Sequence, residues 1–331
     1  MKKNSLPNIL TPAFPPVIRF KMNLPDLKKY RTIFKDNGVT TPLSQSGHAK
    51  TGLYKMIPKP EQENKGWPWD EETSPDIYDT RIKWPKLTIV TPSFNQGQFI
   101  EQTIRAVLLQ NYPNLEYIII DGGSTDNTTK ILEKYSPWIS YWQSTKDDGQ
   151  GNAINLGFSL SSGEYHAWIN SDDYYLKGVF QKVIQQFLSS KAEFIYGYGY
   201  NYKVATGEFE QIKTLPYTDY FIKIPSLIQP STFWNARIHE PIWEELYCAL
   251  DYELWLRMVK GHKRALIKEP LSVAHVHDDA KTSDPKMKAK WEEDHQKIWG
   301  PDAHGTVHEW KRIVFLNRIR KKLYKLFDDL G

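Results

Sequence analysis

The sequence predicts an α/β fold, with a mostly parallel central sheet flanked by helices, a mixed second half and an amphipathic helix at the C-terminal end. Residues 87–91 and 115–120 are apolar runs with the length and composition of buried strands. Between them, residues 99–109 place apolar side chains at helical spacing. Strand, helix and strand in close succession form a parallel pair, so the sheet begins near residue 86.

The same alternation continues along the chain. Further helices are predicted at 128–135, 153–160, 179–188 and 248–260, and further strands at 138–143, 165–169 and 194–198, with a hairpin over 200–212 that turns at Thr206-Gly207. The first half is therefore typical of a nucleotide-binding sheet, and the second half mixes strands and helices.

Three regions differ in composition and charge. Residues 1–84 are rich in proline and lysine without a sustained period, and are predicted to form an irregular basic arm, before a domain over 85–300 and a helix over 301–331. Residues 1–60 carry eleven Lys and Arg against two Asp and Glu, residues 309–331 carry seven against three, and the stretch between carries 25 against 34. Basic ends on an acidic body favour an anionic surface such as a membrane over nucleic acid.

The C-terminal helix is basic and amphipathic. Its apolar residues recur three or four positions apart, at Ile313, Leu316, Ile319, Leu323, Leu326 and Leu330, with Lys and Arg mostly elsewhere. Two interpretations remain open: the helix lies on an anionic leaflet, or it packs on the body of the protein.

Composition also limits the compartment. A single cysteine, Cys248, excludes an internal disulfide and favours a reducing cytoplasm. No apolar run is long enough to cross a bilayer, and prolines interrupt the first 16 residues where a signal peptide would need an apolar core. We expect a cytoplasmic protein, with peripheral attachment to the inner face of the cytoplasmic membrane as the alternative that the basic ends suggest.

Polar residues follow the predicted strands where each one ends. They are the segments 91–95, 121–126, 147–151 and 170–173. Because the carboxyl ends of parallel strands meet at one edge of a sheet, these segments are expected to form one site. Asp172 and Asp173, beside a buried strand, are suitable oxygen donors for a divalent cation, although a capping turn is the simpler interpretation of Asn, Ser and Asp taken alone.

The ordered motifs Thr91-Pro-Ser-Phe-Asn95, Asp121-Gly-Gly-Ser-Thr-Asp126, Asn170-Ser-Asp-Asp173 and Leu250-Asp-Tyr-Glu-Leu-Trp-Leu-Arg257 together resemble a family 2 glycosyltransferase of the GT-A fold. The resemblance covers roughly residues 86–283. It implies a nucleotide-diphosphate sugar donor, a divalent cation (Mn²⁺ or Mg²⁺) and transfer with inversion at the anomeric carbon.

The resemblance also assigns the donor site. The nucleotide-sugar residues that it implies are Thr91, Pro92, Ser93, Asn95, Asp121, Gly149, Asn155, Asn170, Ser171 and Lys281. Asp121 matches the family's usual partner for uracil. The sequence departs from the family pattern at Asn170, where relatives carry the first Asp of Asp-x-Asp, and at Gly122, where many carry a second Asp. One charge fewer should weaken cation binding.

The resemblance assigns the metal to Asp172 and His277, leaves His275 open, and makes Asp251 the catalytic base. Inverting transfer needs a carboxylate that takes the proton of the acceptor hydroxyl. Glu253 is the fallback base, although helical geometry turns it to another side of the segment.

On the acceptor side the residues are Gln229, Trp234 and Glu253. The function expected is metal-dependent transfer from a UDP-sugar to a saccharide or lipid-linked acceptor in surface polysaccharide or glycolipid synthesis. A nucleotidyltransferase is the rival enzyme, but it would want a basic glycine-rich loop after the first strand. The rival from another class is a decayed binding protein, for which Asn170 and Gly122 would be the first signs.

Overall fold

The computed structural model describes residues 21–60, 64–277, 281, 285–299 and 304–328. Its strands are β1 (Leu87–Ser93), β2 (Leu115–Asp121), β3 (Tyr141–Ser144), β4 (Tyr165–Trp168), β5 (Asp173–Tyr175), β6 (Phe194–Lys203), β7 (Glu208–Ile212), β8 (Thr232–Asn235) and β9 (Arg264–Val276). Its helices are α1 (Leu27–Asp36), α2 (Ile100–Leu108), α3 (Thr128–Tyr135), α4 (Gln150–Leu160), α5 (Val179–Ser190), α6 (Leu250–Met258), α7 (Lys288–Ile298) and α8 (Val307–Asp328).

The strands form one mixed sheet in the order β3-β2-β1-β4-β8-β6-β9-β5, with β7 paired to β6. The first four strands of this order are parallel, and β8 joins β4 and β6 antiparallel. The parallel first half and mixed second half are therefore confirmed. The register sets Ser93 beside Asp121 and Asp121 beside Ser144, so the polar strand ends do meet at one edge.

The core lies within this sheet and against its helices. Every residue of β1 and β2 is buried, as their apolar runs predicted. Three indoles join the sheet to α6: Trp168 stacks on Trp255 at 5.5 Å, and Trp234 meets Trp255 edge to face at 5.6 Å. Aromatic pairs of this kind contribute stabilisation beyond that of burying their rings. They therefore hold α6, with its polar first turn, against the strands.

The expectation of an irregular arm over 1–84 is wrong for part of the described residues. Leu27–Asp36 is a helix, and its N-cap Asp26 accepts a hydrogen bond from the Lys28 amide. Arg31 donates to the carbonyls of Ser159 and Ser161 after α4, and Phe34 enters the main core. Only one residue of α1 is buried, so its apolar period is too weak to read from the sequence.

Arg105 of α2 binds the backbone of a second segment of the N-terminal region, residues 58–69. Its side chain is 1% exposed and donates to the carbonyls of Pro58, Pro68 and Trp69 and to the Tyr135 hydroxyl. A guanidinium presents its donors in a rigid fork, so one residue satisfies several backbone oxygens at once. The proline-rich segment is thus tied to the domain.

Among the elements predicted between residues 87 and 260, the boundaries differ by three or more residues at three. Residues Ser136–Trp138 form a 3₁₀ turn before β3, α4 begins three residues earlier than predicted, and β6 runs unbroken to Lys203. Proline at 137 cannot donate to the ladder, which accounts for the first difference. Leu330 of the predicted C-terminal helix lies outside the described residues.

A buried histidine predicts loss of stability in acid. Burial and the nearby His239 hold the pKa of His166 well below its ordinary value. Below about pH 6.5, His166 is therefore protonated in the unfolded chain but not in the folded protein, and the free energy of unfolding decreases as the pH falls. We expect His166→Gln to remove about 1.4 kcal/mol per pH unit from this slope below about pH 6. Urea unfolding of both proteins at pH 7, 6 and 5 measures it, and equal slopes would contradict the prediction.

Candidate functional site

The loops after β1 and β2 are bonded to each other at the carboxyl edge of the sheet. The carboxylate of Asp121, fully buried, accepts from the amide of Ser124 at 2.8 Å and from the hydroxyls of Ser124 and Ser144 at 2.6 Å each. Asn95, at φ 52°, accepts from the Thr125 amide at 2.9 Å and donates its own amide to Ser124. Asp121 and Asn95 therefore shape this edge through bonds within the chain.

Two of the predicted donor contacts have structural roles instead. The Thr91 hydroxyl is buried and lies 3.2 Å from the Tyr117 hydroxyl, because β1 is buried on both faces. Asn155 is fully buried, and its amide group bonds both backbone groups of Ile242 and the carboxylate of Glu244. Neither side chain is available to a ligand in this structure.

Ser93 differs from Thr91 because its hydroxyl is buried at the strand end without a hydrogen-bond partner among the described residues. Pro92, between them, is buried in the same strand. A buried polar atom without a partner is uncommon and is expected at a ligand site.

Gly122 lies against a carboxylate from the neighbouring loop. A Cβ at Gly122 would be 3.1 Å from each carboxylate oxygen of Asp147. Burial and the charges of Asp121 and Asp148 raise the pKa of Asp147. The space that a longer residue would need at position 122 is thus taken by Asp147, a residue whose loop, but not its side chain, the sequence singled out.

The acidic turn after β4 is fixed from two sides. The Thr103 hydroxyl of α2 bonds the carbonyls of Ser171 at 2.9 Å and Asp173 at 2.7 Å. On the other side, the His275 ring bonds the carbonyl of Asp172. The side chain of Asp172 therefore points towards the end of β9. His277, the residue after this strand, has its Nε2 3.3 Å from Asp172 Oδ2. The predicted metal pair is together, and its histidine packs on the Phe99 ring at 4.8 Å.

Asp172 and His277 fit a divalent cation as two of its ligands. A carboxylate oxygen and an imidazole nitrogen at this separation are both ligand types that Mn²⁺ accepts. Within the described ranges no group of three His, Cys, Asp or Glu comes together to hold a metal. Further ligands would have to be water or donor phosphates, which is common for Mg²⁺ and Mn²⁺ sites that bind nucleotides. Asp278 and Asp279 lie outside the described residues.

Asp173 is a different kind of carboxyl group from its neighbour. It is 6% exposed and accepts a hydrogen bond from the backbone amide of His275. Burial and the negative charge of Asp172 raise its pKa well above the ordinary value. The charged form of Asp173 is therefore disfavoured in this turn.

A lysine meets the N-terminus of α4 beside the acidic turn. The ammonium of Lys281 donates to Gln150 Oε1 and to the Tyr247 carbonyl, both at 2.8 Å, and Gln150 donates to Asn170 Oδ1 at 2.8 Å. Gly149, at φ 104°, makes the turn into the helix, and a cavity of about 170 Å³ opens beside it. A cation at a helix N-terminus suits the phosphates of a ligand.

Burial lowers the pKa of Lys281, while the charge of Asp172 opposes this shift. Asn170 is thus linked through Gln150 to Lys281. Sequence reasoning missed Gln150, although it stands next to Gly149 in a segment already marked as part of the site.

Asp251 lies in the first turn of α6, half-buried. Burial raises its pKa to about 6, and hydrogen bonds from backbone amides of this turn oppose the shift only in part. Its charge also acts on Tyr217, so this tyrosine lines the same region. A carboxylate with a pKa near neutrality is suited to general-base catalysis.

Two acceptor-side predictions are wrong in their geometry. Both carboxylate oxygens of Glu253, which is 2% exposed, pair with Arg257 at 2.6 and 2.9 Å, so it is no fallback base. Trp234 is fully buried and stacks on His239, so it offers no platform to a sugar. Gln229 is half-buried and donates to the Trp168 carbonyl at the end of β4, close to the acidic turn.

Helix α7 braces the site from outside, through two residues that we call the α7 brace, Trp291 and Asp294. The buried carboxylate of Asp294 accepts from the backbone amides of Tyr247, Cys248 and Ala249, which precede α6. Trp291 Nε1 donates to the Lys281 carbonyl at 3.0 Å. The brace was not predictable from the sequence, because Trp291 and Asp294 bond backbone groups that lie more than nine positions away along the chain.

Residues 88–241 match the family model for glycosyl transferase family 2. Glycosyltransferase GlyG of Streptococcus pneumoniae serotype 4 is 29% identical over 126 residues, which are 37% of this chain and 42% of that protein. An uncharacterized glycosyltransferase of Rickettsia typhi is 24% identical over 232 residues, 65% of this chain and 70% of that protein. The chain thus spans less than half the length of the first of these relatives.

Among solved structures, Staphylococcus aureus TarS 1–349 in complex with UDP-GlcNAc aligns with a TM-score of 0.55 at 18% identity, over 70% of this chain and 72% of that chain. S. aureus TarS itself aligns with a TM-score of 0.54 at 19% identity, over 70% of this chain and 43% of that chain. At these identities the likeness shows the fold. Asp251, His277 and Lys281 all lie beyond the stretch that the family model matches.

Proposed function

We propose that this chain, which carries a family 2 glycosyltransferase domain with the GT-A fold, transfers a sugar with inversion from a nucleotide diphosphate to an acceptor hydroxyl and needs a divalent cation. The observation that carries the proposal is the pairing of Asp172 with His277 at one edge of the sheet, together with a base whose pKa is about 6, Asp251. Lys281 lies between the metal pair and the base. The charge of Asp172 acts on its ammonium, and the ammonium donates a hydrogen bond to the carbonyl of Tyr247, in the segment that precedes α6.

The donor is proposed to be a UDP-sugar. Support comes from TarS, a fold neighbour that was solved with UDP-GlcNAc. In this chain, Ser93, Asp121 and Asp147 would lie around the base and ribose, and Lys281 with the N-terminus of α4 would hold the diphosphate. The Ser93 hydroxyl, which has no hydrogen-bond partner among the described residues, would find one in such a ligand.

In the proposed reaction, the carboxylate of Asp251 takes the proton from the acceptor hydroxyl as the oxygen attacks the anomeric carbon. The new glycosidic bond forms on one face while the bond to the diphosphate breaks on the other, so the configuration inverts. Lys281 stabilises the negative charge of the leaving diphosphate. A cation held by Asp172 and His277 would supply further neutralisation of that charge.

A panel of nucleotide sugars, incubated with and without Mn²⁺, tests the proposal by the nucleoside diphosphate released. Metal-dependent release from one donor is expected and would identify the sugar. If no donor released nucleoside diphosphate and calorimetry detected no UDP binding, the alternative would be favoured, a binding protein that has lost transferase activity. The observation that favours this alternative is the amide of Asn170 in the acidic turn. Assembly of a surface polysaccharide or glycolipid is the pathway that we propose for the product.

Loss of Asp294 is predicted to change both the rate and its pH dependence. Asp294→Ala frees the three amides before α6, hydrates Asp251 and moves its pKa from about 6 toward the ordinary value. We expect kcat to fall about 10- to 100-fold and the acid limb of the profile to move down by about one pH unit. Asp294→Asn, which keeps one acceptor oxygen, should restore part of the rate.

The control is Glu293→Ala, next in the chain but exposed and, within the part of the chain that the structure describes, paired with Lys290 and Lys297. It is expected to leave the pH profile unchanged. If Asp294→Ala only reduced the amount of folded protein, with the same pH profile per active molecule, the brace would be structural and the prediction wrong.

A further inference from the structure

Helix α8 has two apolar faces, of which only one is covered by the protein. Trp310, Ile313, Asn317 and Arg320 recur three or four positions apart and face the body. Trp310 meets Trp299 edge to face at 4.7 Å, and Ile313 packs with Ile224. Arg320 lies 4.0 Å above the Phe221 ring and donates to the Pro216 carbonyl. The packing interpretation of the C-terminal helix therefore holds for this face.

The opposite face is apolar and exposed. We call it the outer stripe: Phe315, Ile319, Leu323 and Leu326, which are 61%, 41%, 48% and 59% exposed. They too are spaced by three or four residues and so lie in one row. Phe315 follows the buried Ile313 by two positions, about 200° around the helix, so the row points away from the body. Exposed apolar side chains in a continuous row mark an interaction surface.

Cations border the outer stripe along its length. They are Lys311, Arg312, Arg318, Lys321, Lys322 and Lys325, all exposed. No Asp or Glu occurs between residues 310 and 327. A second copy of this helix would bring equal charges face to face, so self-association through the stripe is disfavoured. A surface that offers both anionic groups and an apolar layer is complementary to it.

We propose that α8 binds the surface of an anionic lipid bilayer through the outer stripe, with its lysines and arginines among the headgroups. Helices with an apolar row flanked by cations lie in the membrane interface and bury the row at the headgroup boundary. None of the described helices is both long enough and apolar enough to span a bilayer. The buried face of α8 keeps the helix attached to the domain while the outer stripe contacts lipid.

The docked face of α8 lies close to the catalytic helix. Tyr252, next to Asp251, bonds the Lys223 carbonyl at 2.7 Å and the His304 ring at 2.6 Å, and His304 packs against Trp310 of α8. A bilayer on the outer stripe would therefore hold Asp251 near the lipid surface. On the proposed function, which this step assumes, the acceptor is lipid-linked.

Vesicle co-sedimentation tests the surface, with vesicles of phosphatidylcholine alone and of phosphatidylcholine with an equal amount of phosphatidylglycerol. The full chain is expected to bind the anionic vesicles and to be released by 1 M NaCl, at which the screening length is about 3 Å. Phe315→Ser combined with Leu323→Ser should weaken binding at least about tenfold. Lys321→Gln combined with Lys325→Gln should weaken it about fivefold per charge.

The matched control combines Leu188→Ser with Val204→Ser, two apolar residues that are 47% and 41% exposed but lie away from α8. It should bind as the wild type does. Equal binding to the two vesicle types, or equal loss in the control and the stripe variants, would overturn the proposal. Binding to neither vesicle would also overturn it.

Donor hydrolysis in solution separates this failure from failure of the proposed function. The stripe residues are exposed on α8 and are not among the residues assigned to the donor site, so Phe315→Ser with Leu323→Ser is expected to release nucleoside diphosphate at the wild-type rate. Activity without vesicle binding would refute the membrane surface alone. Vesicle binding without any hydrolysis would refute the transferase and leave the surface standing.

Discussion

Asp251→Asn is expected to lower kcat about 10³-fold with little change in the KM for the donor. The asparagine keeps the size of the side chain but accepts no proton, and general-base catalysis contributes about 10²- to 10⁴-fold in rate. A change of 10³ corresponds to about 4 kcal/mol of lost transition-state stabilisation. Steady-state release of nucleoside diphosphate, with acceptor present, measures it.

The pH dependence gives an independent test of the same residue. A base acts only when deprotonated, and burial raises the pKa of Asp251 to about 6. The rate should therefore be level above about pH 7 and fall about tenfold per pH unit below pH 6, rather than below the ordinary value near pH 4. A rate that stays level down to pH 5 would show that another group is the base.

Glu253→Gln supplies the comparison in the same turn of helix. Its carboxylate is buried and pairs with Arg257, so the change should lower stability and leave the acid limb in place. Thermal unfolding of both variants separates the two effects. Equal losses of kcat in Asp251→Asn and Glu253→Gln, at equal folded fractions, would contradict the assignment.

The sequence was sufficient for elements whose period is strong. The apolar runs of β1 and β2 and the helical spacing of α2 and α3 predicted these elements to within about two residues. Helix α1 was not predictable, because it is held by single contacts such as Arg31 to the carbonyls after α4 rather than by a broad apolar face. Contacts between distant segments leave no local pattern.

The site divides in the same way. Motif order predicted Asp172 and His277 as a pair, and the structure brings them together; the roles of Asp251 and Lys281 stay predictions. The side chains of Thr91 and Trp234 proved to be fully buried, which a strand motif alone does not reveal because burial depends on what packs against each face of the sheet. The buried pairing of Glu253 with Arg257 was, by contrast, readable in principle, since residues four apart on a helix are neighbours.

Asp172→Ala is expected to abolish metal-dependent turnover, with a loss of about 10³-fold or more. It removes the charged oxygen of a two-residue site in which Asn170 already supplies no charge. The described turn holds one other carboxyl, that of Asp173, and its raised pKa disfavours the charged form that a cation would bind. The metal requirement therefore depends on one carboxylate.

Calorimetry of UDP binding with and without Mn²⁺ measures the same change without turnover. The wild type should bind UDP more tightly when Mn²⁺ is present, and Asp172→Ala should bind it equally weakly in both conditions. Asp173→Asn is the matched control: it replaces a buried carboxyl, whose charged form is disfavoured, by an amide that still accepts from the His275 amide, so the Mn²⁺ effect should persist. If Asp173→Asn lost the Mn²⁺ effect and Asp172→Ala kept it, Asp173 rather than Asp172 would be the aspartate that the cation needs, and the prediction would be wrong.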